Sequence, residues 1–321
     1  MLITVAICTF NRAASLRRTL DSLVAMHLPE GLDWEVVVVN NNCTDSTDEV
    51  ISTFTERLPI RRAFEPQQGH SKARNRAIEE ARGEYIVWTD DDVIVAREWL
   101  AAYAEAFRQW PDGAVFGGPI IPLYEEPVVP WVVQSEELLG GPWAIRDLGD
   151  LTIPLSLDGH RIPYGANFVV RAKEQRHFLF DSELGLDPVR RRLGDETDVI
   201  ARILNSGASG YWIPEAGVRH CIGHDRQTVR YLKRYFAGMG ETEAYQAARA
   251  GTAEKLWFGV PRWLWRQTAV GWIGYHVHRF LSPAPVWVRH LRNYSLASSA
   301  VRFWLSTKGP RGGEVSTPKS S

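Results

Sequence analysis

Three consecutive aspartates, residues 90–92, directly follow the apolar run GEYIVW. Adjacent carboxylates repel one another unless a cation lies among them, and a hard divalent cation is the usual solution. Mg²⁺ and Mn²⁺ both accept oxygen ligands of this kind. In an extended chain Asp90 and Asp92 would point to one side and Asp91 to the other, so two carboxylates would converge. The segment predicts a Mg²⁺ or Mn²⁺ site open to a nucleotide diphosphate; a solvated acidic turn that caps the next helix is the alternative.

The elements that must position this cluster alternate between strands and helices. LITVAICTF, WEVVVV, IRRAFEP and YIVWT are interpreted as strands, and each precedes a segment interpreted as a helix. This order predicts a mostly parallel sheet with helices on both faces. Ligands of such sheets bind at the carboxyl ends of the strands. Polar segments follow the predicted strands at this carboxyl edge of the sheet, called the rim below. They are Thr9, Asn11 and Arg12; 40–42; 69–74; and 90–92.

The pattern is less regular after residue 110. PDGAVFGGPIIPLYEEP predicts loops and short strands, and PYGANFVVRAKEQ predicts one more strand. LGDETDVIARILNSG has the spacing of an amphipathic helix, and GYWIPEAGVRH is interpreted as a final strand.

Composition narrows the functional class. A net charge of −1 over 321 residues gives no global reason to expect nucleic acid as a partner. The three cysteines lack disulfide-framework or zinc-ligand spacing, which fits a reducing compartment. The first ten residues lack the features of a signal peptide, and no apolar stretch has the length of a membrane span. We therefore expect a cytoplasmic protein.

The segments VAICTFNR, VVVVNNNCTDST and GHSKARNRAIEEARGEYIVWTDDDV, in this order and spacing, resemble the inverting family 2 glycosyltransferases. The likeness covers roughly the first 225 residues. It implies the α/β GT-A fold, with a mostly parallel sheet flanked by helices and a helical C-terminal extension. The expected division is a nucleotide-sugar half (1–115), an acceptor and catalytic half (116–225), a helical region (226–308) and a disordered tail (309–321).

The resemblance assigns nucleotide contacts to the first two strand ends. Thr9 and Arg12 look like residues that meet the nucleotide, with Phe10 and Asn11 between them. Asn40 falls where the family often has an aspartate that reads the base edge. Because an asparagine donates as well as accepts, the base preference stays open.

The remaining donor contacts are carried over in the same way. Asn42 lies in the second strand-end loop, and Arg74 is similar to an arginine that lines the nucleotide pocket. Asp90 and Asp91 belong to the metal-diphosphate motif, and Asp92 is expected to be the most direct metal ligand, together with Asp90.

The base is expected in LGDETD, residues 193–198, where the family has a Glu-Asp motif at a helix start. Asp195 falls on the family's glutamate and Glu196 on its catalytic aspartate, so the two acid types are exchanged. Glu196 is the predicted base by position and Asp195 the alternative. The structural alternative is a helix-capping cluster, with Asp195 or Thr197 as the cap.

Two further positions resemble family segments near the donor sugar and the metal. Gly165 and Asn167, in YGAN, match a Gly-Ala-Asn segment, and Asn167 is predicted to contact sugar hydroxyls or to form a strand-entry turn. His220 resembles a histidine after the last core strand, which would ligate the metal or contact the diphosphate; a structural histidine is the alternative.

The C-terminal region is basic and rich in tryptophan. Between Lys255 and Lys308 there are eight Lys or Arg, no Asp or Glu, and six of the thirteen tryptophans. This composition suits a helix at an anionic membrane surface. Packing of the aromatic residues against the protein is the alternative, and RNA binding is a weaker third hypothesis because no nucleic-acid motif accompanies the patch.

The resemblance as a whole implies a metal-dependent inverting glycosyltransferase of polysaccharide biosynthesis. It would move a sugar from a nucleotide-diphosphate donor, with UDP preferred over GDP or dTDP, to a hydroxyl of a glycan or lipid-linked acceptor. No covalent enzyme intermediate is expected, and the location would be the cytoplasm or the inner face of the cell membrane. A non-catalytic sugar-nucleotide or glycan-binding relative is the alternative function.

Overall fold

The computed structural model describes residues 1–188, 190–251 and 256–306. The chain divides into two compact units. The first comprises Met1–Val129, Leu139–Arg190 and Gly194–Gln227, and the second comprises Pro130–Leu138, Arg191–Leu193 and Thr228–Ser321. The predicted disordered tail at 309–321 lies outside the described residues.

The elements follow the alternation that the sequence predicts for the first half. In chain order they are β1 (Leu2–Thr9), α1 (Ala13–Val24), β2 (Asp33–Asn40), α2 (Thr47–Ser52), β3 (Ile60–Phe64), α3 (His70–Glu80), β4 (Tyr85–Asp90), β5 (Val93–Val95), α4 (Trp99–Gln109), β6 (Gly113–Gly117), β7 (Ile120–Tyr124), α5 (Pro130–Gln134), β8 (Ile153–Pro154), β9 (Asn167–Arg171), α6 (Ala172–His177), α7 (Asp195–Asn205), β10 (Ser209–Trp212), β11 (Val218–Ile222), α8 (Val229–Ala250), β12 (Leu256–Trp257), β13 (Val260–Pro261), α9 (Arg262–Leu281) and α10 (Ala284–Ser306).

An eight-stranded, mostly parallel sheet forms the centre of the first unit, as predicted. Its strand order is β3-β2-β1-β4-β9-β6-β10-β8. Strands β1 to β4 are parallel, whereas β9 runs antiparallel to both β4 and β6. A second sheet has the order β5-β11-β7. The carboxyl ends of β1, β2 and β4 therefore meet at one edge.

Side-chain alternation in the central strands supplies both faces of the sheet. Ile3, Val5 and Ile7 pack in one buried cluster with residues of α1 and α4. Ala6, on the opposite face, packs in a second cluster with residues of α3 and α7. Because successive side chains of a strand point to opposite faces, a one-residue slip of β1 would exchange these two cores.

Two segments differ from the sequence-based expectation. GYWIPEAGVRH forms two strands in different sheets, β10 and β11, because Pro214 between them cannot donate a ladder hydrogen bond. The segment DEVISTFTERL, interpreted as the helix after the second strand, is helical only as far as Ser52, and turns follow it.

The second unit is built from helices that cross closely. A Cβ on Gly240 of α8 would lie 2.0 Å from the Leu296 carbonyl oxygen of α10. A Cβ on Gly271 of α9 would lie 2.7 Å from the Tyr294 amide nitrogen, so only glycine permits these contacts. Trp287 and Trp304 of α10 are buried. Among the described residues, no helix has the length and apolar composition required to cross a bilayer.

Candidate active site

The triple aspartate lies where β4 ends, and its members have different surroundings. Strand β4 ends at Asp90, and the chain turns through 91 and 92. The predicted alternation along an extended chain is therefore wrong: Asp91 and Asp92 converge on the same side chain, Arg12, whose Nη1 lies 2.8 and 2.7 Å from their oxygens. Both aspartates are buried, so they do not form a solvated turn. Asp90 remains about one-third exposed.

The end of β1 secures this turn. The Thr9 hydroxyl donates to Asp91 Oδ2 at 2.7 Å, and Thr9 is itself buried. Burial raises the pKa of Asp91 against the opposing charge of Arg12. Phe10 and Asn11 face solvent, and Asn11 lies in the left-handed region with φ 52°.

Asn40 and Asn42 lie at the end of β2 but differ in how their side chains are used. Asn40 is buried; its amide donates to Asp48 at 2.6 Å and its carbonyl accepts from the Cys43 amide at 2.7 Å. Asn42 is exposed with φ 61°. A base at this rim would meet the exposed side chains of Phe10 and Asn42 more readily than the engaged amide of Asn40.

A second acidic cluster, Asp195 and Glu196 at the start of α7, lies at the same rim and is linked to Asp90 by Arg74. Arg74 Nη1 lies 3.0 Å from Asp195 Oδ2 and 3.7 Å from Glu196 Oε2, and Nη2 lies 3.9 Å from Asp90 Oδ1. One buried guanidinium thus joins the end of β4 to the start of α7. The helix begins after Gly194, which has no side-chain cap, so neither Asp195 nor Thr197 has the capping role considered above.

The two adjacent acids of α7 have opposite electrostatic environments. Burial alone would raise the pKa of Asp195, but Arg74 and His70 hold that pKa far below its ordinary value. Burial and the charge of Asp195 raise the pKa of Glu196 to about 7. About a fifth of the Glu196 side chain is exposed, whereas Asp195 is almost fully enclosed. Glu196 can exchange a proton near neutral pH; Asp195 stays ionised.

His220 and Asp92 face each other, and Arg226 contacts both of them. His220 Nε2 lies 2.7 Å from Arg226 Nη1, and because a guanidinium only donates, we assign the lone pair to Nε2. The proton then lies on Nδ1, 2.5 Å from the Trp143 carbonyl oxygen. Asp92 Oδ1, 3.3 Å from Nε2, is buried and accepts no hydrogen bond among the described residues.

This arrangement fits a divalent cation. Asp92 Oδ1 has no hydrogen-bond donor among the described residues and is a suitable ligand, whereas the Nε2 lone pair of His220 accepts from Arg226 and would bind a metal only in place of that arginine. The Nδ1 bond to a carbonyl is the usual support of a ligating histidine. No group of three Asp, Glu, His or Cys side chains suited to a metal occurs in the described part of the chain. The other ligands would therefore come from a diphosphate and water, as is common for Mg²⁺.

Asn167 is placed in the core rather than at the rim. Its amide oxygen accepts from Trp99 and Tyr103, and its amide nitrogen donates to the carbonyls of Pro119 and Ala216. Because all four hydrogen-bonding positions are used, we interpret Asn167 as a structural residue instead of a sugar contact. Gly165 is at the site: a Cβ there would lie 3.0 Å from Arg74 and 3.3 Å from Glu196.

Two residues of the site were not identified from the sequence. Arg226 contacts Asp92 through Nη2, and His70 Nδ1 lies 3.4 Å from Asp195 Oδ2. Arg226 lies on the loop after β11, where no spacing distinguishes it. His70 could have been noted, because it starts the helix that carries Arg74.

Comparison with solved structures identifies the fold. The chain aligns with the mannosyltransferase PcManGT from Pyrobaculum calidifontis, in complex with GDP-Man and Mn²⁺, with a TM-score of 0.59 and 19% identity over 94% of this chain and 86% of that one. It also aligns with S. aureus TarS 1–349 in complex with UDP-GlcNAc, with a TM-score of 0.54 and 16% identity over 94% and 92%. These likenesses support the predicted GT-A fold.

Comparison with other sequences identifies the family. The succinoglycan biosynthesis protein ExoM of Rhizobium meliloti is 26% identical over 75% of this chain and 73% of that protein. Validoxylamine A glucosyltransferase of Streptomyces hygroscopicus is 35% identical over 32% of this chain and 26% of that protein. The model of glycosyl transferase family 2 matches residues 4–171, just over half of the chain. The protein therefore belongs to glycosyl transferase family 2 and is a glycosyltransferase.

Proposed function

We propose that this glycosyltransferase transfers a sugar from a nucleotide-diphosphate donor to an acceptor hydroxyl by a single inverting displacement. The observation that carries the proposal is the distribution of five acidic side chains around three arginines, Arg12, Arg74 and Arg226. Asp91, Asp92 and Asp195 are buried and paired, while Asp90 and Glu196 keep an exposed face and share Arg74. Two carboxylates are thus accessible at the same edge of the sheet. Asp90 is available on the donor side and Glu196 on the acceptor side.

Glu196 is proposed as the general base. The acceptor hydroxyl must lose its proton as the new bond forms, and a base with a pKa near the working pH does this most efficiently. Its pKa of about 7 meets that requirement, and the residue beside it, Gly165, has no side chain to cover it. Asp195 is proposed to act through Arg74 and Glu196, as a positioning residue.

The donor diphosphate is proposed to bind where β1 and β4 end. Asp92 and His220 would hold a Mn²⁺ or Mg²⁺ ion, with Asp90 nearby, and the bound ion would offset the negative charge on the departing diphosphate. Arg12 and Arg226 both contact Asp92 Oδ2, which leaves Oδ1 for the ion. Thr9, by fixing Asp91, sets the direction in which the turn presents these groups.

The nucleotide and acceptor are proposed more broadly. A UDP-sugar is preferred, with GDP- and dTDP-sugars as alternatives; the solved neighbours bind GDP-Man and UDP-GlcNAc. The acceptor is proposed to be a growing glycan or a lipid-linked saccharide at the inner face of a membrane; the relative ExoM is a succinoglycan biosynthesis protein, which supports a glycan acceptor. Residues 1–115 would bind the donor, 116–225 would complete the acceptor side, and the helices after 226 would contact the membrane.

A donor screen tests the proposal. The full chain is heated with UDP-, GDP- and dTDP-sugars, each with and without Mn²⁺, and release of nucleotide diphosphate is measured in parallel. One nucleotide class should raise the melting temperature in the presence of Mn²⁺, because a ligand that binds the native state stabilises it. The same donor should be hydrolysed slowly to a sugar of inverted anomeric configuration.

Other outcomes would count against the proposal in distinct ways. Binding of a donor without any turnover would favour the non-catalytic sugar-nucleotide-binding alternative. A product of retained configuration would exclude the single displacement. Full activity in the presence of a strong chelator would exclude the metal site at Asp92 and His220.

A further inference from the structure

The helix α9 leaves one side uncovered, and that side is apolar. Leu264, Gly271 and Tyr275 are buried on its packed side. On the opposite side Trp263, Val270, Ile273, Val277 and Phe280 are exposed, at separations of seven, three, four and three residues. Phe280 is 82% exposed. This spacing produces a continuous apolar stripe along the helix, which soluble surfaces rarely present without a partner.

The hairpin of β12 and β13 adds an aromatic tip next to this stripe. Phe258 and Gly259 form its two-residue turn, with φ values of 52° and 76°. A bulky side chain in the left-handed region is unfavourable, yet Phe258 is 75% exposed and gains little packing in return. Trp265 of α9 donates to the Trp257 carbonyl at 3.2 Å, which ties the turn to the first half of α9.

The segment that carries the stripe has charge of one sign. Residues 256–306 contain six arginines and no Asp or Glu. Arg262 and Arg266 lie in the first part of α9 and Arg279 in its last turn, and all three are exposed. Arginine beside tryptophan and exposed aliphatic residues is typical of helices that lie in the headgroup region of anionic membranes.

The same charge disfavours two other occupants of the stripe. A second copy of this chain would place arginine opposite arginine, at the cost of repulsion. Segment 307–321 carries three basic residues and one acidic residue, Glu314, and Val315 is its one aliphatic residue besides Pro and Gly, so it offers neither opposite charge nor apolar cover. An anionic partner with an apolar interior fits both features.

We propose that Trp257, Phe258 and the exposed side of α9 form a docking face for an anionic lipid bilayer. The aromatic tip and the apolar stripe would enter the headgroup region, while Arg262, Arg266 and Arg279 would contact lipid phosphates. This deepens the proposed function and rests on it in one respect: docking would hold the enzyme at the surface where a lipid-linked acceptor lies. Of the six C-terminal tryptophans, Trp287 and Trp304 are packed in the second unit and take no part.

Vesicle flotation of the full chain tests the docking face. We expect the protein to float with phosphatidylcholine vesicles that contain phosphatidylglycerol, and less with phosphatidylcholine alone or at high salt. Phe258→Ser and Phe280→Ser should each weaken binding about tenfold, the loss expected for one buried aromatic side chain. Arg262→Gln with Arg266→Gln should weaken binding about fivefold per arginine, on anionic vesicles alone.

A matched variant and a second assay keep the result interpretable. Leu151→Ser removes an equally exposed apolar side chain, 74% exposed, from the first unit and should float like the wild type. Circular dichroism and thermal unfolding establish that each variant is folded. Donor hydrolysis in solution should be unchanged in the Phe258 and Phe280 variants, because neither residue belongs to the catalytic rim.

Each contrary result has a definite meaning. Absence of flotation, or equal flotation of the Phe258→Ser/Phe280→Ser variant and the wild type, would overturn the docking face. Concentration-dependent dimerisation that this variant abolishes would assign the stripe to a second copy and would also overturn it. Normal flotation without donor hydrolysis would leave the docking face standing and remove the proposed function instead.

Discussion

Arginine serves two regions of this molecule in opposite ways. In the catalytic rim Arg12, Arg74 and Arg226 are each paired with carboxylates, and Arg74 is 3% exposed at its side chain. In α9 the arginines are exposed, and the described segment from 256 onward has no acidic residue to pair with them. The first group holds charge inside the protein, whereas the second presents charge outward.

The difference follows from the cost of desolvation. A buried charge must be neutralised by partners in the fold, and the buried Asp91, Asp92 and Asp195 each have an arginine as partner. An exposed charge keeps its water and contributes little to stability, so it remains available for a partner. Substitutions should therefore affect catalysis and stability at the rim, and mainly binding at α9.

Removal of the proposed general base should have the largest effect. Glu196→Gln keeps the shape of the side chain but cannot accept a proton, so we expect transfer to fall about 10²–10⁴-fold. Donor affinity should stay nearly unchanged, as measured by thermal shift with the donor and Mn²⁺.

Asp198→Asn is the matched control, since it removes a carboxylate from the same helical turn, and this carboxylate pairs with Arg202 rather than with Arg74. It should retain activity. Full transfer activity in Glu196→Gln would move the base to another residue.

Breaking the buried ion pair between Arg74 and Asp195 should give the largest loss in the free energy of unfolding. Arg74→Met leaves Asp195 buried without its main cation and removes the guanidinium that lies over Trp88, Phe168 and Phe180. We expect a loss of about 3–5 kcal/mol in the free energy of unfolding. Denaturant unfolding measures it.

The same substitution in α9 provides the contrast. Arg266→Met should change the free energy of unfolding by less than about 0.5 kcal/mol, because the side chain is exposed and forms no ion pair with an acid among the described residues. If Arg74→Met and Arg266→Met were equally destabilising, the distinction between the buried, paired arginines of the site and the exposed arginines of α9 would fail. Asp195→Asn added to Arg74→Met should recover part of the loss, since the uncompensated charge is then gone.

Much of this rim could be predicted from sequence because strand ends converge. The alternation of strands and helices places Thr9, Arg12, Asn40 and Asp90 at one edge before any coordinates are known. The resemblance added the acidic start of α7, which is remote in sequence, and favoured Glu196 over Asp195. The geometry supports that preference through the pairing of Asp195 with Arg74.

What the sequence did not predict depends on side-chain direction and on distant partners. The turn after β4 brings Asp91 and Asp92 to Arg12 together, which an extended chain would not do. Asn167 resembles a sugar contact in sequence, but its amide is used by four groups in distant segments. Arg226 comes from a loop without a recognisable pattern. In each case the decisive contact joins residues far apart in the chain.

The pH dependence should separate the two neighbouring acids. With a pKa of about 7, Glu196 must be deprotonated to act, so the rate should rise with pH through about 7 and then level off. Asp195→Asn removes the negative charge that helps to raise the pKa of Glu196, so the acidic limb should move to lower pH. An unmoved limb would assign the titration to another group.

The free energy of unfolding should depend on pH in the opposite sense to the rate: the contribution of Glu196 falls as the pH rises. The pKa of Glu196 is raised in the folded state from an ordinary value near 4.5, so folding favours its protonated form. Its contribution is fully present below about 4.5 and is lost as the pH rises through about 7. The melting temperature of Glu196→Gln should therefore decline less than that of the wild type from about pH 5 to about pH 8.

The smallest effect should come from the strained turn between β12 and β13, next to α9. Phe258 and Gly259 both have positive φ, the geometry in which Asn-Gly is the preferred pair. Phe258→Asn should raise the free energy of unfolding by up to about 1 kcal/mol, because asparagine tolerates this backbone region better than phenylalanine. Vesicle flotation should weaken at the same time. A more stable protein that binds membranes less well would indicate that Phe258 is kept for its partner, whereas a loss of stability would show that its side chain packs within the protein.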